Sequence, residues 1–514
     1  MSRIAVIGAG LAGMAAAARL ATAGHQVTVL ERGGSHGGAV SRFERDGFAF
    51  DNGPGLLVLP AVYRDLFVKT GREPLEECVD LVQTDPAARH VFAGGVSLAL
   101  PNASRAGVLE ALDGALGAGS GERWDGVQVR AREVWEATRR PLLEDVPADP
   151  AALAADPYPG ARRRGLLRRA APSLAEVAAR ELGGDPRLAA LLESHALAYG
   201  LDPRTAPASA AVLAYLEQSF GVWYVRGGLR ALADALHARC LARRVRFRFD
   251  APVAEVVVES GRAAGVRLAD GTVEPADTVV AAVPLPSLYA AGGPLDGPGG
   301  EPAFRGAAGE PGRFTVHVAL RGSRPDGAAH RTVVHAADRD RALEWLFPRR
   351  GREPLPPPGA LTVAVLRPDD PALRPDGGHE AVTVTAVVPA HAGPGGGAAA
   401  GGLDWTAGEL AEAFAERVLG AAEAAVPGLR ERELWREVRT PADTARELGV
   451  PGGSVPPPSL AGADGTLLRA PNRSPLPGLF LAGGWAHPGG GLPHAGMSAA
   501  ITASLVTGGP GGSR

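Results

Sequence analysis

Hydrophobic and polar positions change their period several times along the chain. Ile4–Ile7 is a short, wholly apolar run stopped by Gly8, the pattern of a strand buried on both faces. An alanine-rich stretch from Leu11 runs to Gly24, and the apolar positions resume in Gln26–Leu30. This predicts a strand, a glycine turn, an amphipathic helix and a second strand. Three stretches between about residues 100 and 215 carry helical spacing: "RAGVLEALDGAL", "VQVRAREVWEATRRPLLEDV" and "SLAEVAARELGGDPRLAALLESHALAYG". Residues 243–284 alternate polar and apolar positions around "ESGR" and "ADG" turns, so they predict several strands. The last of them, within Ala276–Pro284, is expected to close the N-terminal sheet. "RFTVHVALRG", "ALTVAVLR" and "EAVTVTAVV" predict antiparallel strands, and "TAGELAEAFAERVLGAAEAAV" a helix with Thr406 and Glu409 as a capping box. Near the end, "GLFLAGG" predicts a buried strand entering a glycine turn. Met497, Ile501 and Leu505 then give a helix with one apolar face.

Composition narrows the class. The 514 residues, 45% hydrophobic and 21% charged, describe a globular protein long enough for two or more domains. A formal charge of −3 gives no electrostatic drive toward nucleic acid. Cys78 and Cys240 form no disulfide framework, and neither they nor the scattered histidines show metal-ligand spacing, so no metal site is expected. Without a signal-peptide pattern or about 18 uninterrupted apolar residues, a cytoplasmic location is expected. The basic run Ala161–Pro172 reads first as a solvated face, and second as a peripheral membrane contact. The Gly/Pro stretch at 291–312 reads as a linker, Glu353–Gly359 as a stiff loop, and the glycine–alanine stretch near 393 as a flexible one.

The chemistry lies at the two ends. Gly8, Gly10 and Gly13 fit G-x-G-x-x-G between a strand and a helix. The first permits a tight turn, the second a close phosphate approach, the third helix–strand packing. The helix start at Leu11 and Ala12 would point its N–H groups and dipole at a pyrophosphate. Glu31, beside Arg32 and 23 residues after Gly8, is placed to accept ribose hydroxyls. A second glycine loop follows at Gly37-Gly38, and a third turn at Gly53-Pro54, which suits FAD better than the shorter NAD.

With "GFAFDNGPG", "FGVWYVRGGLRALADAL" and "GGWAHPGGGLPHAGMSAAITA", these loops resemble the phytoene desaturase family, within the amine-oxidase-like flavoproteins. The resemblance spans almost the whole chain. It implies an α/β fold: a Rossmann-like FAD-binding domain, a mixed-sheet substrate domain and a helical insertion. The expected division is 1–95, 216–290 and 465–514 for the FAD domain, 96–215 for the helical region, and 291–464 for the substrate domain. It also implies Val253 at the adenine, and Gly483, Gly484, His487, Gly491, Leu492 and Pro493 at the flavin. Ala39, Gly484 and His494 depart from the family's usual residues. His494 is the candidate base, Trp485 and Trp223-Tyr224 are candidate pocket walls, and Ser498 lacks the triad of a hydrolase. The expected function is FAD-dependent desaturation of a long apolar polyene such as a carotenoid intermediate. Two alternatives stay open: oxidation or ring aromatisation of a polyene on an acyl carrier protein, docked on the arginines at 162–169 and 243–248, and a non-catalytic flavin- or lipid-binding protein.

Overall fold

A computed structural model describes every residue except 146–149, 161–170, 290–309, 350, 352, 393–401 and 509–514. Nearly all of the basic run, the Gly/Pro linker and the glycine–alanine stretch fall outside the described residues.

The apolar runs at the two ends meet in one five-stranded parallel sheet. Its order is Arg246–Arg248, Gln26–Leu30, Arg3–Ile7, Thr278–Ala281, Leu479–Leu481. Thr278–Ala281 therefore does not close the sheet, because Leu479–Leu481 pairs with its far side and forms that edge. Helix Leu11–Thr22 packs on helices Leu229–Ala242 and Leu492–Thr507. That enclosure corrects two expected patterns. Leu11–Ala18 and Leu20 are buried almost all round. In Leu492–Thr507 the buried set includes His494, Ser498 and Thr502, while Met497 is only half-buried. Neither helix has a solvent face to make it amphipathic.

A seven-stranded mixed sheet forms the second layer system, in the order Glu433–Arg439, Gly312–Arg321, His379–Val388, Val363–Leu366, Arg331–Val334, Ala88–Val91, Ser97–Leu100. Phe314, Val316, Val318 and Leu320 are buried in one core cluster with Phe414 and Val418 of helix Gly408–Ala422. Arg313 and Thr315 alternate with them, on the opposite face. Ala88–Val91 and Ser97–Leu100 pair across residue 95 and extend this sheet, so the expected boundary there is misplaced. The expected capping box is absent: helix Gly408–Ala422 starts after Ala407, and the Thr406 hydroxyl donates to the Asp404 carboxylate at 2.5 Å. Asp404 offers the closer acceptor and captures the threonine.

Helices Arg105–Leu116, Ser120–Arg139, Leu174–Glu181, Pro186–Leu197 and Val212–Phe220 pack around Trp124, Val127, Leu188 and Leu191. Between the layers Asp51 joins the stretches Gly47–Gly55 and Phe220–Leu236. Its carboxylate accepts the N–H groups of Leu229 (2.8 Å) and Arg230 (3.3 Å), at the start of helix Leu229–Ala242. A Cβ on Gly228, whose φ is +83°, would meet this carboxylate at 2.8 Å.

Burial raises the Asp51 pKa to about 6, with the two N–H donors pulling the other way. Ionising Asp51 is thus harder in the folded chain than in the unfolded one. The stability it contributes is full below the unfolded pKa and is lost as pH rises through about 6. Asp51→Asn should therefore gain on the native protein by about 1–2 kcal/mol between pH 5 and pH 7.5. Urea unfolding at the two pH values measures the difference; a constant gap would contradict it.

Candidate functional site

One continuous cavity of about 1530 Å³ begins at the Gly8–Gly10 turn and runs between the parallel sheet, the mixed sheet and the helical region. Ordinary small-molecule pockets hold roughly 300–1,000 Å³, so this one has room for a dinucleotide and a long second ligand.

At the nucleotide end, Gly8, Gly10, Leu11, Ala12, Glu31, Arg32, Gly37, Gly38, Gly53, Pro54 and Val253 all line the cavity. Gly13 does not. A Cβ there would sit 2.1 Å from the Gly8 carbonyl oxygen, so its role is the close packing of helix on turn. At Gly10, by contrast, an added Cβ meets no protein atom within 4 Å. Glu31 is pinned from two sides, its Oε2 accepting from Ala9 N–H (2.8 Å) and its Oε1 from Gly33 N–H (2.9 Å). Each carboxylate oxygen keeps a lone pair for another donor. Gly37 N–H donates to the Ala9 carbonyl at 2.9 Å, and a Cβ on Gly53 would lie 2.1 Å from the Ala39 carbonyl oxygen. The three glycine loops are thus stacked backbone on backbone. Arg42 and Arg230 also line this end, and the sequence reading missed them. Arg230 Nη1 donates to the His36 carbonyl at 2.8 Å.

At the other glycine loop, Gly483, Gly484, Trp485, Gly491, Leu492, Pro493 and His494 line the cavity. His487 does not. Its ring is buried, Nε2 has no hydrogen-bond partner, and burial lowers its pKa to about 4. The His487 carbonyl is the part that holds the loop: it accepts from Ser498 Oγ (2.7 Å) and Asn472 Nδ2 (2.8 Å). Gly483 N–H donates to the same Ser498 hydroxyl at 3.0 Å. Ser498 is therefore a clamp on both ends of the turn. Val455-Pro456 lie against the loop from outside the expected motif, and a Cβ on Gly490 would sit 1.7 Å from the Pro456 carbonyl oxygen.

Trp223 and Tyr224 are not cavity walls. Trp223 Nε1 donates to the Phe220 carbonyl (3.0 Å), and the Tyr224 hydroxyl to Asp370 (2.7 Å). The arginines at 243–248 do not form one free basic face either, since Arg246 and Arg248 both reach Glu274 and Arg243 donates to the Thr70 carbonyl. Among the described residues, no group of three or more His, Cys, Asp or Glu is arranged to hold a metal, and no helix is long and apolar enough to cross a membrane.

Beyond the loop the cavity widens. Leu143, Leu197, Leu213, Leu216, Leu343 and Leu346 form apolar walls. Beside them stands a charged set that the sequence reading also missed. Arg331 and Glu217 make a two-pronged pair (2.6 and 2.7 Å), and His195 Nε2 lies 3.3 Å from Glu217. Burial pushes the Glu217 carboxyl up, but Arg331 and His195 outweigh it and hold the group well below its ordinary range.

A family model described as flavin containing amine oxidoreductase matches residues 11–352, and the chain belongs to that family. It is an FAD-dependent oxidoreductase of the phytoene desaturase branch. It is 30% identical to the zeta-carotene-forming phytoene desaturase of Myxococcus xanthus, over 98% of this chain and 93% of that one. To the hydroxyneurosporene desaturase of Rubrivivax gelatinosus it is 29% identical, with the same coverage. In fold it matches the crystal structure of an oxidoreductase from Methanosarcina mazei, with a TM-score of 0.61 at 18% identity over 97% of this chain and 99% of that one. The residues fit FAD: the open space over Gly10 leaves room for a phosphate, and a fixed carboxylate stands at the end of the second strand.

Two glycine substitutions separate packing from binding. Gly13→Ala should destabilise the cofactor-free protein by about 1–3 kcal/mol through overpacking. Gly10→Ala should leave that stability unchanged and weaken FAD binding. Thermal melts without FAD, and FAD titration by fluorescence quenching, read the two effects; equal melting losses would refute the distinction.

Proposed function

We propose that the protein is an FAD-dependent desaturase that introduces double bonds into a long, largely apolar polyene of carotenoid type. The observation that carries this is the single cavity joining the glycine cradle to a leucine-lined chamber. Relatives over nearly the full chain are named for phytoene and hydroxyneurosporene desaturation. When bound, FAD supplies an acceptor at N5 for a hydride taken from the polyene.

The protein's own part is to hold and to exclude. Glu31 and the Gly8–Ala12 turn hold the adenosine and phosphate end, with Val253 against the adenine. The 483–493 loop, fixed by Ser498 and Asn472, presents backbone N–H groups where negative charge builds on reduction. Leucines from the helical region and Leu343 and Leu346 keep water from the chain. His494 sits in the wall with its ring buried and its pKa lowered by burial to about 4. It is neutral at pH 6–8, and too weak a base to set the pace of proton removal. Charge spread along a conjugated chain makes the departing proton acidic, which relaxes the need for a strong base.

Adding a carotenoid precursor in liposomes to the FAD-loaded protein without oxygen should bleach the flavin band near about 450 nm and shift the polyene absorption to the red. Persistence of the oxidised flavin with every polyene would reject the reading. His494→Ala should slow bleaching by less than about 100-fold, with no inflection between pH 5.5 and 8. A larger loss would restore His494 as the proton acceptor.

A further inference from the structure

Six arginines line the cavity: Arg32, Arg42, Arg230, Arg313, Arg331 and Arg439. Four of them meet a carboxylate: Arg42 at Glu44, Arg230 at Asp234, Arg331 at Glu217 and Arg439 at Glu447. Arg32 meets none, but it is exposed, so water screens its charge. Arg313 is the exception inside. Its only hydrogen bond among the described residues runs from Nη2 to the Ala198 carbonyl at 2.8 Å. No carboxylate there lies within ion-pair distance of it. The rest of its guanidinium fork is left to the cavity. Arg313 is half-buried in the cavity wall; a cation held away from bulk water without a counter-charge is costly, and a planar fork matches a carboxylate in two-point geometry.

The surroundings are built for an oxygenated group. Tyr199, next to Ala198, lines the cavity, and its hydroxyl has no partner among the described residues. Thr315 and Thr385 line the same wall, with their hydroxyls 3.5 Å apart. The position is also next to the reaction centre expected above. A Cβ on Gly491 would lie 3.6 Å from the Tyr199 ring and 2.8 Å from His494 Nδ1. Burial lowers the Arg313 pKa from its ordinary value, as expected for a cation that lacks a partner.

We infer that this subsite binds a carboxylate carried by the polyene, with Arg313 as its counter-cation and the Tyr199 hydroxyl as a second donor. The inference rests on the desaturase reading and refines its substrate class. A pure hydrocarbon would leave the Arg313 charge and the Tyr199 hydroxyl uncompensated. A polyene acid satisfies both and lays its apolar length along the leucine walls. It also places the oxidised bond toward the acid end, since Tyr199 packs against the loop at Gly491.

The test measures equilibrium binding, not turnover. The FAD-loaded protein is titrated with a carotenoid hydrocarbon, a polyene acid of matched length and the methyl ester of that acid, followed by the shift of the polyene band. The acid should bind about 10-fold or more tighter than its ester. That preference should vanish in Arg313→Leu and return in part in Arg313→Lys, with bound-flavin absorbance confirming that each variant is loaded. Equal binding of acid and ester by the native protein overturns the inference, whatever the variants do. So does an acid preference that survives in Arg313→Leu. If the hydrocarbon alone binds and bleaches the flavin, the desaturase reading stands without the carboxylate site. If no polyene binds, both fall.

Discussion

Backbone lying directly on backbone, with no side chain between, is the constraint on which this molecule depends. A Cβ on Gly13 would press on the Gly8 carbonyl, one on Gly53 on the Ala39 carbonyl, and one on Gly490 on the Pro456 carbonyl. Each contact brings a loop closer to the cofactor space than any residue with a side chain allows. Glycine makes this geometry accessible but raises the entropic cost of folding. Surrounding burial offsets that cost: Ala15, Ala16, Ala17 and Ala18 of helix Leu11–Thr22 pack at zero exposure between the sheet and two helices. Those small residues serve the same end, because they let the helices close over the loops.

Loops made of glycine need fixing from outside, and a few buried polar side chains do it. Asn472, Ser498 and Thr502 hold the C-terminal turn: Thr502 Oγ1 donates to the Leu481 carbonyl at 2.8 Å, and Ser498 reaches both Gly483 and His487. Asp51 does the same for the start of helix Leu229–Ala242. These are satisfied hydrogen bonds in a dry setting, where an unmade one is expensive. Removing a clamp therefore costs more than its own bond, since the donors it leaves behind stay buried.

The glycine loops were legible in the sequence because local chemistry dictates them. Strand, glycine turn and acid occur at fixed short spacings around Gly8 and Glu31, and the structure brings them to one cavity wall. The parallel strands were legible as apolar runs, but their order was not: nothing local to Thr278–Ala281 says that Leu479–Leu481 will pair beyond it. Helix faces failed for a related reason. Periodicity around Met497 assumes one solvent side, and enclosure by neighbouring helices removes it. Asn472, Arg313, Arg331 and Glu217 gave no signal, since a lone polar residue in a helix, strand or loop looks solvated until the fold closes around it. His487 shows the converse: the motif marks the position, but the functional atom is its carbonyl and not its ring.

The charged set in the chamber then weighs against treating the cavity as a plain hydrocarbon tunnel. Glu217 and Arg331 neutralise one another through two short hydrogen bonds, so their burial is tolerable and their field is local. A tunnel selected only for apolar length has no use for such a pair, because leucines of similar volume would serve as well without the desolvation cost. What the pair does supply is order. It ties helix Val212–Phe220 to strand Arg331–Val334, and so joins the helical wall of the chamber to its sheet floor. Arg313 lies on the same floor without a carboxylate partner among the described residues. Apolar contact alone lets a long chain slide, whereas one charge against a rigid wall sets its register, and register decides which bond meets the flavin.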